Sequence, residues 1–142
     1  MINMEITILE KPQYTILYYS SHLSFLSFLY AIYKEKYIIS LCPGVIFITS
    51  INYWRRPTYS WRRYIDITAV ITSLIYQSYI AYTAEDGNTY YILISFALLT
   101  FPFSKYYYMK NQLWISTYLH VMLHILANIA NIYLYASNSP KV

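Results

Sequence analysis

Charge is distributed along this chain in a way that leaves few folds open. Lys11 and Lys34 enclose 22 uncharged residues, Lys36 and Arg55 enclose 18, Asp66 and Glu85 enclose 18, Asp86 and Lys105 enclose 18, and Lys110 and Lys141 enclose 30. A helix that crosses a hydrocarbon core needs roughly 20 apolar residues. Five gaps of that order predict five spans, at about 14–33, 37–53, 65–83, 89–104 and 113–135. The last gap is too short for two spans and a turn. Composition agrees: 58% of the 142 residues are hydrophobic and 11% charged, against about 25% charged in a soluble domain. Low charge with high hydrophobicity also excludes disorder.

A transmembrane barrel would need alternating strands of about 10 residues with turn residues between them. Val45 to Tyr53 is rich in strand-favouring types, but the chain has only two glycines, Gly44 and Gly87. Tight hairpins depend on such residues. The expected fold is therefore all-α, a single polytopic transmembrane helical bundle occupying residues 1–142. Residues 1–12 lack the basic start and small-residue cleavage pattern of a signal peptide, so the first span reads as an uncleaved anchor. Cys42 is the sole cysteine, so no internal disulfide is expected. Pro43 and Gly44 beside it predict a kink.

Basic residues set the expected orientation. Lys11, Arg55, Arg56, Arg62, Arg63, Lys105 and Lys110 fall on one side of a five-span chain, and Lys34, Lys36 and Lys141 on the other. The first side is expected to be cytosolic, with the N-terminus inside and the C-terminus opposite. The loop from Trp54 to Tyr64 holds four of the basic residues. Arginine interleaved with aromatics also occurs in single-stranded nucleic-acid grooves, but a short loop tethered at both ends to a bilayer fits that use poorly. Arg55, Arg56, Arg62 and Arg63 are expected to meet anionic lipid headgroups, with tryptophan and tyrosine at the interface. Membrane lipid is thus the expected partner, and nucleic acid is not.

Ionisable side chains inside spans are costly and mark bundle interiors or functional sites. His120 and His124 are four apart on one helix face, in a stripe with Ser116, Asn128 and Asn131. Such a pair either bonds neighbouring helices or shares a metal ion. Asp66, Ser73 and Gln77 likewise share a face of the third span. Asp66 is read either as an interfacial acid near Arg62 and Arg63 or as a carboxylate near a metal. At about 1.5 Å per residue, His22 and His120 each lie roughly 12 Å from the inner edge and His124 roughly 18 Å. This common depth makes His22, His120 and His124 a candidate metal set, with Zn²⁺ as the expected ion. It also permits haem held by His22 and His120. Against His22 stands the stripe of Ser20, Ser24, Ser27 and Ala31, from which it points away.

Asp66 at the start of a span, His120-x3-His124 early in the last span and Ser50-x3-Trp54 at the inner end of the second together resemble the CREST superfamily, the membrane hydrolases that include alkaline ceramidases and adiponectin receptors. That family has Ser-x3-His where this chain has Ser50 and Trp54, and seven spans rather than five. The resemblance implies a zinc-dependent site acting on a lipid amide or ester. Asp66 and Ser50 would be its catalytic residues, and His22 would stand in for the missing imidazole. The Tyr-, Ile- and Asn-rich character and the basic Trp-Arg-Arg loop also resemble short multispan membrane proteins of large DNA viruses. The alternative from a different class is a non-enzymatic structural membrane protein or complex subunit, with polar residues serving helix packing alone.

Overall fold

The computed structural model describes residues 7–137. Lys141 and residues 1–6 of the N-terminal tail, which entered the charge and signal-peptide arguments, lie outside them. The described residues are all-α, without strands. They form α1 (Lys11–Ser20), α2 (Leu23–Tyr33), α3 (Tyr37–Trp54), α4 (Trp61–Tyr82), α5 (Gly87–Met109) and α6 (Leu113–Ala136). Each predicted segment is helical. The first is divided in two, although Ser21 and His22 keep right-handed helical dihedrals, so α1 and α2 are two lengths of one interrupted rod. Among the described residues two helices, α3 and α6, are long and apolar enough to cross a membrane by length and composition, against the five spans expected.

The boundaries have local causes. Pro12 stands in the first turn of α1, where its missing N–H removes no helical bond. Glu35 and Asn111 adopt positive φ, 59° and 58°, and end α2 and α5 in the same way. Lys36 N donates to Ala31 O and Gln112 N to Tyr107 O, both at 2.9 Å. This six-to-one bond is the mark of a Schellman end. α3 continues through Pro43 and α5 through Pro102. The bare Gly44 backbone admits Phe28 of α2, whose ring would lie 3.1 Å from an added Cβ.

Around the bundle the order is α5, α6, α1 with α2, α3 and α4, and α5 and α6 share the most extensive contact. α4 meets α5 sparsely, with Tyr91 Oη donating to the Ser78 carbonyl at 2.6 Å near their shared turn. One apolar cluster, including Ala31, Ile39, Ile80, Tyr90, Ile94 and Leu134, fills the end that carries the α2–α3 and α4–α5 turns. A smaller one, Leu9, Leu17, Tyr53 and Trp54, fills the opposite end.

The interior is unusually polar. Among the described residues Gln13, Ser27, Ser50, Asp66, Gln77, Asn128 and Asn131 are buried, while Leu26, Leu41, Ile48, Ile75, Phe96 and Phe103 are exposed. Globular interiors show the reverse preference. Lys36 is also enclosed, 5% exposed, and its Nζ donates to the Ser137 carbonyl at 2.8 Å. That bond ties the end of α6 to the α2–α3 turn. Burial, with Lys34 adding to it, holds the Lys36 ammonium below its ordinary pKa of 10.5.

Candidate functional site

Ser50, Trp54, Asp66, His120 and His124 come from three helices, and the structure joins them in two neighbouring groups. α4 begins after a short loop folded back from α3, so its second turn faces the last turns of α3. Asp66 Oδ1 there accepts from Ser50 Oγ at 2.6 Å and from Thr49 Oγ1 at 2.8 Å. Both bonds cross between helices and both end on one carboxylate oxygen. Arg62 turns instead to backbone carbonyls, of Asn52 at 3.4 Å and Arg56 at 3.1 Å, and Arg63 stacks over the Tyr59 ring, 5.0 Å from its centroid. The Asp66 latch is thus made with hydroxyls, not with the nearby arginines. Ser73 and Gln77, expected on its face of α4, are buried with it.

One turn beyond Ser50 on α3, the Trp54 ring lies 5.2 Å from that of His120. His120 also meets Phe101 at 6.3 Å and His124 at 5.0 Å. The two imidazoles stand at 85° to each other, an edge-to-face contact of the kind aromatic rings adopt when they pack. His124 Nδ1 is paired with Ser20 Oγ at 2.7 Å. Asn128 and Ser116 of the α6 stripe are engaged similarly. Ser27 Oγ donates to Asn128 Oδ1 at 2.6 Å, Asn128 Nδ2 donates to the His124 carbonyl at 2.7 Å, and Ser104 Oγ donates to the Ser116 carbonyl at 2.8 Å.

His22 does not join this set. Its side chain is exposed, its Nδ1–H donates to the Tyr18 carbonyl one turn back at 3.0 Å, and its ring packs against Phe47. Ser20, Ser24, Ser27 and Ala31 carry the inward face of α1 and α2, and His22 stands on another. Shared depth did not bring the three imidazoles together, and this corrects the expected His22, His120, His124 ligand set. The same displacement separates the His22 and His120 pair considered for haem. No group of three His, Cys, Asp or Glu able to hold a metal ion occurs among the described residues. The residue beside His120 in the place of a third ligand is Trp54, whose indole N–H donates and offers no lone pair. The side chains present therefore do not fit a three-ligand zinc centre.

Several participants escaped the sequence reading. Thr49 sits next to Ser50 and doubles the bonding to Asp66; the adjacent hydroxyls were the available signal. Ser20 was recognised as a small packing residue, but its bond to His124 depends on how α1 meets α6. Tyr135 continues the α6 stripe four residues past Asn131 and was masked by the abundance of tyrosine. Compared with family models, with curated proteins and with solved structures, the chain matches none.

Proposed function

We propose that this chain is an integral membrane protein of five spans and one domain, N-terminus cytosolic and C-terminus opposite, acting as a non-enzymatic scaffold or complex subunit. Its polar interior holds helices together. The observation that carries this reading is that serine, asparagine, glutamine and aspartate side chains are buried beside the apolar clusters while many large aliphatic and aromatic residues are exposed. An exposed apolar surface of that extent suits lipid as solvent. Polar contacts between membrane helices are worth about 0.6 kcal/mol each on average, so a set of them across α1 to α6 is an ordinary means of fixing the packing. Arg55 and Arg56 are exposed on the α3–α4 loop, where anionic headgroups would add about 1 kcal/mol per basic residue.

A second reading has a specific observation in its favour. Ser50 bonds Asp66, and Trp54 packs on His120 beside His124, contacts that support kinship with the CREST pattern, with tryptophan in the place of one ligand. On this reading the chain is a relative of those hydrolases whose lipid amide or ester chemistry was lost with its zinc. Elemental analysis of the purified protein in detergent separates the possibilities. The wild-type protein is expected to hold no stoichiometric zinc, and Trp54→His is expected to acquire about one equivalent if the shared layout is real. That gain should vanish when His120→Ala is added. Stoichiometric zinc in the wild type, lost in His120→Ala, would refute the scaffold reading. A Trp54→His protein that folds and binds no zinc would refute the kinship.

A further inference from the structure

Short side chains meet where α3 runs beside the first turns of α4. Val45 and Thr49 lie one turn apart on α3, and Thr68 and Ala69 line the same groove from α4. Tyr64 and Ile65, one turn nearer the α3–α4 loop, complete a lining that encloses about 360 Å³. Counted from Trp61, the groove ends about 12 Å along α4. Thr49 belongs both to this lining and to the Asp66 latch, since its hydroxyl donates to Asp66 Oδ1 at 2.8 Å. The groove is therefore held between the two helices at the level of that latch.

Its loop end is basic. A helical repeat carries the face of Val45 and Thr49 on through Asn52 to Arg56. The chain still turns helically there, with Arg56 N donating to Tyr53 O at 3.2 Å. Arg56 thus stands about 10 Å beyond Thr49 on the same wall, and Arg62 holds its carbonyl at 3.1 Å. Arg55 and Arg56 are exposed, as are Trp61 and Tyr64 across the mouth on α4. No acidic residue occurs from Trp54 to Ile65, and Asp66 is engaged by Ser50 and Thr49. A cationic mouth flanked by aromatics, above a mainly apolar trough, complements a negative headgroup with an acyl chain beneath it. We propose that the α3–α4 groove binds one anionic phospholipid, its phosphate on Arg55 and Arg56 and its acyl chain along Val45, Ile65 and Ala69. Thr68, exposed on the α4 wall, carries a hydroxyl able to donate to an ester carbonyl. A free phosphate would leave the trough uncovered. The proposal rests on the reading of α3 and α4 as membrane spans. It goes beyond general headgroup attraction, because the lipid has a fixed seat between two helices.

Native mass spectrometry of the full chain in non-ionic detergent, titrated with phosphatidylglycerol or phosphatidylcholine of matched acyl chains, tests this. One phosphatidylglycerol should saturate the protein, and phosphatidylcholine should bind about tenfold more weakly. Arg56→Gln should weaken the phosphatidylglycerol adduct about fivefold, and Arg55→Gln with Arg56→Gln about 25-fold. Thr68→Trp fills the trough from an exposed position and keeps every arginine, and it should weaken the adduct by about tenfold. Val45→Trp fills it from the opposite wall and serves where the first variant does not fold. Equal affinity for the two lipids overturns the proposal. Unchanged phosphatidylglycerol binding in a folded Thr68→Trp or Val45→Trp protein also overturns it, since charge would then attract lipid without a seat. Both results leave the membrane reading standing. Release of the chain from native membranes by alkaline carbonate refutes that reading, and the site with it.

Discussion

Ser50→Ala combined with Asp66→Asn isolates a short, buried link between α3 and α4. Ser50 Oγ approaches Asp66 Oδ1 to 2.6 Å, and both residues are buried. A hydrogen bond to a charged acceptor is worth about 1.5–3 kcal/mol in soluble proteins, whereas contacts between membrane helices average about 0.6 and reach about 1.7. The short distance and the burial place this one at the upper end of the membrane range, so Ser50→Ala should cost about 1–2 kcal/mol. Thr49→Val should cost less. Thr49 Oγ1 bonds Ile46 O at 3.2 Å as well as Asp66, and its methyl remains in the variant. Asp66→Asn keeps the shape and one acceptor oxygen but loses the charge. Denaturant unfolding in mixed micelles of the wild type, both single variants and the double variant gives the coupling directly, and about 1 kcal/mol is expected. A coupling indistinguishable from zero, with all four proteins folded, would refute the claim that Asp66 holds α3 to α4.

Other consequences concern the ends of the bundle. The fold holds the Lys36 pKa below 10.5 through burial and Lys34, so the unfolded chain binds more protons there as pH rises through the window just under 10.5. Stability should increase across that window relative to Lys36→Met, and parallel stability curves would contradict this. A Cβ at Gly87 would collide with the Ala81 carbonyl, which is backbone and cannot rotate away; Gly87→Ala should cost about 1–3 kcal/mol in micelle unfolding. Gly44→Ala meets only the edge of the Phe28 ring at 3.1 Å, and the helix propensity gained, about 1 kcal/mol, should leave its melting temperature nearly unchanged.

The helices were legible because their limits are written in charge and in turn chemistry, and five uncharged stretches became helical almost residue for residue. The α6 stripe was legible for a related reason, since a helical repeat fixes which side chains share a face. Contacts between helices were not. The rise of 1.5 Å per residue gives His22 its depth, but 3.6 residues per turn puts it about 200° around the helix from Ser20. Once Ser20 faces His124, His22 must look elsewhere. Partnerships such as Ser27 with Asn128 and Lys36 with Ser137 join residues about a hundred positions apart. No local pattern specifies them.

The proposed five-span topology is tested most directly by labelling single cysteines from one side of the membrane. Tyr59 and Asp86 are exposed in the α3–α4 and α4–α5 connections, so Tyr59→Cys and Asp86→Cys, each on a Cys42→Ser background, report opposite ends of α4. In intact cells an impermeant maleimide should modify Asp86→Cys at once and Tyr59→Cys only after the bilayer is opened. Equal modification of both before permeabilisation, or release of the protein by alkaline carbonate, would contradict a bundle that crosses the membrane five times.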